Sequence, residues 1–476
     1  MLNMRNNKKV YLITLGCPKN EYDSDCIKYI LEKNNFYISQ NIIKADVVII
    51  NTCCFIDPAK EESIETILDI AKLKEEKNFI LIVFGCMSQR YYKELTKEIP
   101  EVDGWIGLSS MSSIPKVINE IFNNRKFLSK ERSKFQEDLL KEHTFKKYTL
   151  NSEPIYLVEN INGWVKKQPK RKFYGKLPYA YLKIADGCDH NCTFCDIPNI
   201  KGKHESRFPE DIINEAKELI DSNVKEIILI SQDITQYGKD LKEKANLIRL
   251  LNDLIEIDNI KRIRLMYLNP DGISDDLIKL ISTSEKICKY LDIPIQHVGK
   301  KILRKMGRKG SYNEFINIFS RIRERIPDIV FRSSIIIGFP GETKKDYNLL
   351  CKFLEKVRLD WVGFFKFSPQ EGTRAYYYNN KINKKTVDRR YNDIVLLQNE
   401  ISMEIREELV GKTLDVLIEQ TSIETEDFWE GRSYREAPDI DGLIFVEKDS
   451  VTKGDLVPVK ITNSLFFDLY GEIYKH

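Results

Sequence analysis

The chain lacks any uninterrupted apolar run of the ~20 residues that a bilayer crossing requires. Its longest candidates, Ala45 to Ile56 and Phe79 to Met87, are shorter and interrupted. No membrane span is expected, and the polar, basic stretch Met1 to Lys9 does not have the pattern of a secretory signal. A cytoplasmic protein is therefore expected. Strong net charge is missing too: 75 lysines and arginines against 72 aspartates and glutamates leave +3, which alone selects no partner. Cysteine is absent from Gly411 to His476, and the next cysteine after Cys195 is Cys288. A zinc ribbon, which needs a second nearby pair, is thereby disfavoured. The 10 cysteines are scattered without a secretory signal, so they read as reduced thiols and metal ligands and not as a disulfide framework. No residue pattern marks a positioned acid–base catalyst, and the catalytic residues stay unknown at this stage. At 476 residues the chain exceeds what one core fills, and about three domains are expected.

What the sequence does hold is Cys188-Asp-His-Asn-Cys192-Thr-Phe-Cys195, just after a strand predicted over Tyr179 to Ala185. A four-iron, four-sulfur cubane takes one thiolate per iron, so three cysteines leave one iron open, as catalytic metal sites keep a position for substrate. Zinc is the alternative occupant.

The first segment alternates strand and helix. Val10 to Leu15, Asp46 to Asn51 and Phe79 to Phe84 are strand-like, and each delivers a cysteine just past its carboxyl end: Cys17, Cys53 and Cys86. Spacings of 36 and 33 residues each match one βαβ unit. Ligands gather outside the carboxyl ends of an open parallel sheet, so the three thiols should converge. Asp57 suits an N-cap with Pro58 at the first helical position, and Ile64, Ile67, Leu68 and Ala71 form an apolar stripe. A strand at Gly104 to Leu108 and a helix from about Ser113 to Phe122 complete a flavodoxin-like domain over 1–125. Residues 126–176, rich in lysine and arginine, read as a linker whose Lys166 to Lys172 stretch could touch RNA.

From Leu177 the alternation resumes, with strands expected at Tyr179 to Ala185, Glu226 to Ser231, Arg262 to Leu268, Tyr290 to Ile295, Val330 to Ile337 and Trp361 to Ser368. This is the pattern of an open (β/α)6 partial barrel over 177–410, with its chemistry at the carboxyl ends and a charged helix, Lys384 to Val410, leading out. The tail, 411–476, carries short β-rich runs at Leu414 to Ile418, Gly442 to Val446 and Leu456 to Ile461 and suggests a small all-β barrel of about five strands. It holds 7 lysines and arginines against 14 aspartates and glutamates.

The Cys188 motif resembles that of the radical S-adenosylmethionine superfamily, whose members place the cofactor's amino and carboxylate groups on the open iron and cleave it to a radical. The three parts together resemble the methylthiotransferase family over essentially the whole chain. Leu15-Gly-Cys-Pro-Lys-Asn20, Asn51-Thr-Cys53, Ile293-Pro-Ile-Gln-His297, Gly338-Phe-Pro-Gly-Glu342 and Ala437-Pro-Asp-Ile-Asp-Gly442 are similar to the branch called RimO, which modifies an aspartate of ribosomal protein twelve of the small subunit. The tRNA-modifying branches usually have other residues where this chain has Pro18-Lys19-Asn20.

The resemblance implies an α/β protein with a flavodoxin-like N-terminal domain, an open (β/α)6 radical-SAM partial barrel and a C-terminal TRAM barrel. It implies two [4Fe-4S] clusters: Cys188, Cys192 and Cys195 hold the one that cleaves S-adenosylmethionine, and Cys17, Cys53 and Cys86 hold an auxiliary one that delivers sulfur. One S-adenosylmethionine supplies the methyl group and another the radical, with an external electron donor and a sulfur source. A radical is needed because the β-hydrogen of aspartate is too weakly acidic for a side-chain base. Cofactor contacts are expected from Phe194, from Ser231 and Gln232, from Gln296 and His297, and from Gly338 and Glu342. The plainer readings are a packing aromatic, turn glycines and a hydrogen-bonded structural histidine. Cys26, Cys288 and Cys351 read as small buried hydrophobes. Cys54 stands where glycine is expected; adjacent side chains diverge at a strand end, and the family match selects Cys53 as the ligand. TRAM barrels usually bind RNA, but the acidic tail suits a basic ribosomal protein, so no direct nucleic-acid substrate is expected. The rivals are a tRNA adenosine methylthiotransferase and an iron–sulfur protein that docks on ribosome or RNA without catalysis.

Overall fold

A computed structural model describes residues 8–124, 154–242, 245–423, 426–448 and 450–474. The chain forms two compact units, Met1–Lys172 with Ile197–Gly202, and Phe173–Asp196 with Lys203–His476.

The first unit is built on a six-stranded parallel sheet in the order Tyr37–Ile38, Lys9–Thr14, Val47–Thr52, Ile80–Gly85, Gly104–Ile106, Ile155–Leu157. Val47–Thr52 and Ile80–Gly85 are buried at every position, because helices cover both faces of a parallel sheet and leave no solvent side to alternate with. The first five strands have the flavodoxin-like order. The sixth, Ile155–Leu157, pairs with Gly104–Ile106 and lies inside the expected linker: three residues at a sheet edge carry too little periodicity to announce a strand. The rest of that expected linker up to residue 153 lies outside the described residues. Of the Lys166 to Lys172 stretch, Arg171 pairs with Asp25 at 2.8 Å and Lys172 with Glu32 at 3.0 Å, so these two cations are engaged within the unit. Asp57 is the first residue of its helix, preceded by Ile56. On that helix Ile67 and Ala71 are buried, whereas Leu68 is 41% exposed and stands off the apolar stripe.

In the second unit six parallel strands follow chain order across an open sheet: Tyr179–Lys183, Glu226–Ile230, Arg262–Leu265, Ile287–Asp292, Val330–Ile337 and Trp361–Lys366. Residues of alternating parity pack on opposite faces. Ile227 and Leu229 meet the helices, and Ile228 and Ile230 join Tyr179, Tyr181 and Tyr290 in a second, inner cluster. Helix starts are fixed locally: Asn246, Ser274, Ser311 and Thr343 each accept a backbone N–H two or three residues into the helix, and Thr343 forms a capping box with Asp346.

The helix Lys384–Glu407 leads to a closed five-stranded barrel of Thr413–Thr421, Phe428–Arg432, Ile444–Glu447, Asp468–Ile473 and Leu456–Leu465. Its loop 433–442 reaches the amino-terminal end of the parallel strands. Ala437 joins the inner cluster, the Tyr181 hydroxyl donates to Asp439 at 3.0 Å, the Tyr290 hydroxyl to Asp441 at 2.6 Å, and Arg332 Nε to Asp441 at 3.2 Å. The Ala437-Pro-Asp-Ile-Asp-Gly442 motif is thus a plug for the underside of the barrel. Gly442 closes it where a Cβ would fall 1.7 Å from the Phe467 carbonyl oxygen.

Candidate functional site

In the first unit Cys17 and Cys53 lie just past the ends of two adjacent parallel strands, and Cys86 opens the helix Cys86–Glu98 directly after a third. These strand ends are tied together by the asparagines of the sequence motifs. Asn20 Nδ2 donates to the carbonyls of Leu15 (2.8 Å) and Thr52 (3.1 Å), and Asn51 Nδ2 donates to the Asn20 carbonyl (2.8 Å) and Ser24 Oγ (3.0 Å). A Cβ on Gly16 (φ +91°) would meet Cys53 Cβ at 2.6 Å, and one on Gly85 (φ +106°) would meet Asn51 Oδ1 at 2.7 Å. Only glycine permits both the left-handed turn and this approach. The thiols of Cys17, Cys53 and Cys86 are near enough to act on one another electrically. Burial first, then Cys17, raises the Cys53 thiol, and burial raises Cys86 well above the ordinary value. A thiol must lose its proton to ligate, so this pocket calls for positive charge. The buried Lys201 ammonium supplies some, favouring the ionised forms of both Cys53 and Cys86. Lys201 comes from the short helix Ile197–Lys201, which follows the Cys188 motif in sequence yet belongs to this unit. Nothing in the sequence marked it.

Cys54 is fully buried in the first unit's hydrophobic core, its thiol pushed up to about 12 by burial and by Cys53. Cys26 and Cys288 are likewise buried, and Cys351 is half-buried.

In the second unit the loop bearing Cys188, Cys192 and Cys195 follows the first barrel strand at its carboxyl end. It is held from several sides: Thr193 N–H donates to the Met306 carbonyl (2.9 Å), Thr193 Oγ1 to the Lys305 carbonyl (2.8 Å), Ala375 N–H to the Thr193 carbonyl (2.8 Å) and Arg374 Nη2 to the Asn191 carbonyl (2.6 Å). Gly307 (φ +72°) lies so close that a Cβ would sit 2.4 Å from that same Asn191 oxygen. The His190 ring nitrogen Nε2 lies 2.6 Å from Asp233 Oδ2 and 3.0 Å from Asn269 Nδ2, and these two residues extend from the ends of the second and third barrel strands. Burial raises the Cys188 thiol to about 11, with neighbouring Cys192 adding to the effect. Among the described residues no group of three or more His, Cys, Asp or Glu side chains forms a site for a single metal ion. A four-iron cluster instead takes one thiolate per iron, so its ligands need not converge on one point as those of a single ion do.

The expected cofactor contacts sit around the same carboxyl ends, in different states. Phe194 is half-buried and packs on the outer core of the barrel. Ser231 is buried and accepts from Asp233 N–H at 3.1 Å, while the Gln232 carbonyl Oε1 is buried without a hydrogen bond. Gln296 adopts φ 68°, a strained geometry for a residue with a Cβ. Glu342 accepts from Gly338 N–H (2.8 Å) and Arg390 Nη1 (2.5 Å), so its carboxylate fixes the glycine loop. A Cβ on Gly338 (φ +80°) would meet Val387 Cγ2 at 2.6 Å.

His297 is fully buried, and its Nδ1 accepts from the N–H groups of Val298 (2.9 Å) and Gly299 (2.8 Å). The proton is therefore on Nε2, which lies 3.8 Å from Glu342, and burial lowers the ring to about 4 from 6.5. A neutral ring makes no ion pair. Because the unfolded chain takes up the proton first as pH falls, His297 should cost stability from pH 6.5 down to about 4, by up to about 3 kcal/mol. Denaturant unfolding of His297→Gln across that interval should give a flatter dependence on pH than the parent.

The Uncharacterized protein family UPF0004 matches residues 9–107, the Radical SAM superfamily 182–354 and the TRAM domain 410–473. The ribosomal protein uS12 methylthiotransferase RimO of Acetivibrio thermocellus is 43% identical over 468 residues, 98% of this chain and 98% of that protein. That of Thermodesulfovibrio yellowstonii is 42% identical over 467 residues, 98% and 100% of the two chains. Among solved structures, the radical S-adenosylmethionine methyltransferase TsrM from Kitasatospora setae superposes with a TM-score of 0.54 at 13% identity, over 86% of this chain and 78% of that one, a likeness of fold. With three domains in the same order and relatives matched from end to end, this chain belongs to the RimO family of radical S-adenosylmethionine methylthiotransferases.

Proposed function

We propose that this enzyme inserts a methylthio group at the β-carbon of one aspartate of ribosomal protein uS12, in the cytoplasm, using two [4Fe-4S] clusters and S-adenosylmethionine. The observation that carries the reading is the presence of two cysteine triads, each at the carboxyl ends of its own parallel sheet, in a chain 43% identical to a RimO protein over 98% of its length. When bound, the clusters and cofactor supply the one-electron chemistry and the sulfur; an external donor supplies electrons and a separate source restores sulfur.

The chain's own residues do the rest. Cys188, Cys192 and Cys195 would hold the cluster that meets S-adenosylmethionine, and Cys17, Cys53 and Cys86 the one that holds sulfur. Asp233 and Asn269 orient His190 and with it the loop between the first two thiols. Glu342 and Arg390 hold the Gly338 turn beside the barrel mouth. Of the acidic residues in the tail, Glu419, Glu430, Glu436 and the Asp441 carboxylate are turned inward and buried, so the charge available to a basic ribosomal protein rests on exposed groups such as Asp415, Glu447, Asp455 and Glu472.

Mass spectrometry of uS12 and of total tRNA, from cells lacking the gene and from the same cells carrying it back, tests the reading. The methylthio mass should vanish from uS12 and return with the gene. Loss confined to tRNA would overturn the choice of substrate, and loss from neither would favour a docking protein without catalysis.

A further inference from the structure

The mouth of the barrel is charged in a way that the methylthiolation of a protein does not explain. Lys300 to Gly310 contains 6 lysines and arginines and no carboxylate, and Arg374 to Lys385 contains 4 and none. The two stretches follow different barrel strands but meet at the cluster loop. Thr193 bonds to the carbonyls of Lys305 and Met306, the Thr193 carbonyl accepts from Ala375, Arg374 donates to the Asn191 carbonyl, and the Tyr378 hydroxyl donates to the Lys305 carbonyl at 3.2 Å. The turn at Gly341 joins the same rim: its N–H donates to the Asn380 carbonyl at 2.8 Å, and its missing Cβ would sit 2.4 Å from Lys305 Nζ.

Elsewhere in the described residues, charged faces mix signs. Helix Asp57–Lys77 pairs Lys60 with Asp57 and Lys72 with Asp69, and Lys366 at the end of the last barrel strand pairs with Asp388. None of the ten rim cations is in an ion pair among the described residues. Arg304, Lys305, Lys309, Arg374 and Lys381 are exposed. Aromatic rings are interleaved with them: Tyr377 is 72% exposed with its ring 5.2 Å from that of Tyr376, which also carries Lys381 Nζ 5.5 Å from its centre. Unpaired cations beside exposed rings form the surface that a nucleic-acid strand recognises, through phosphates and through base stacking.

We propose that this rim docks on the phosphate backbone of ribosomal RNA beside the target, so that the enzyme takes uS12 assembled with RNA in preference to the free protein. RNA here is a platform and not the modified substrate. The inference rests on uS12 being the protein modified, and its test separates the two.

The test uses the full-length holoenzyme and the charge reversal Arg304→Glu, Lys309→Glu, Lys381→Glu, none of which lies in the cysteine or cofactor loops. Binding of a uridine oligomer is measured across a salt series, and turnover on isolated uS12 and on small subunits is measured in parallel, with thermal melting to check the fold. The parent should bind the oligomer with a steep salt dependence. The reversal should weaken binding at least about tenfold and flatten the log–log salt slope by about 2, the ~0.7 per lost phosphate contact of single strands. Turnover on isolated uS12 should stay within about twofold of the parent, and turnover on subunits should fall about tenfold.

Unchanged oligomer binding would overturn the proposal and point to an acidic protein partner, and so would an equal loss on both substrates. A parent that modifies neither substrate but binds the oligomer in this way would sink the uS12 reading while leaving the RNA surface standing.

Discussion

Replacing Cys17 with alanine is expected to lower bound iron from about eight to about four per chain and to bring methylthio product to background, while S-adenosylmethionine is still cleaved. The separation follows from the architecture. Cys17 belongs to the first compact unit and the Cys188 triad to the second, and each triad is held by hydrogen bonds internal to its own unit. The substitution should not disturb the surrounding backbone. Cys17 precedes helix Pro18–Lys33, its carbonyl accepts from Asn20 N–H at 2.8 Å, and its side chain is only half-buried, so no large cavity opens. Cys192→Ala should instead remove both cleavage and product. Iron and sulfide analysis with electron paramagnetic resonance on anaerobically reconstituted protein, alongside chromatography of 5′-deoxyadenosine, checks both variants. Product from the Cys17 variant, or loss of cleavage along with product, would show that the auxiliary role is misassigned.

Glu226→Gln should destabilise the second unit by about 3–5 kcal/mol, the cost of leaving buried charge without its partner. Glu226 is fully buried at the start of the second barrel strand. Its Oε1 lies 2.6 Å from Arg264 Nε and its Oε2 3.2 Å from Arg432 Nη2 of the terminal barrel. Arg432 also meets Glu419, and Arg262 donates to the carbonyls of Arg432 (2.8 Å) and Asp415 (2.6 Å). Burial alone would raise the Glu226 carboxyl, but Arg264, Arg432 and Arg262 together bring it down to about 2. A carboxylate depressed in the fold stabilises at pH above its unfolded value near 4.5, and that contribution fades as pH falls through about 2. The glutamine variant keeps shape and removes charge, so urea unfolding at neutral pH reads the network directly. A change under about 1 kcal/mol would mean that the three arginines are satisfied by the backbone carbonyls and Glu419 without Glu226.

The same network changes what a truncation can reveal. Deleting Gly411 to His476 looks from the sequence like a clean test of substrate recognition. In the fold it removes the partners of Glu226, Arg264, Tyr290 and Arg332 at the base of the barrel. The shortened enzyme should lose stability and cofactor chemistry together. Reversing exposed acids such as Asp455 and Glu472 is the better probe of docking.

The amino-acid sequence by itself determined the six cysteines, the alternation of strand and helix that places each at a strand's carboxyl end, and the division into a sheet, a barrel and a small β tail. Those features are written in short-range patterns: apolar runs of strand length, helix starts, glycines before Cys17 and Cys86, and thiols a few residues apart. Tertiary structure alone decided that Ile155–Leu157 extends the first sheet, that Lys201 sits by the first triad although it is coded next to the second, that His297 is kept neutral by burial with its Nδ1 accepting from two backbone N–H groups, and that Ala437 to Gly442 plugs the underside of the barrel. It also decided that part of the tail's acidity is spent inward on Arg332 and Arg432. Each of these depends on partners tens to hundreds of positions away, brought together by the burial of apolar faces, and a charge or a three-residue strand carries no local mark of the partner it will meet.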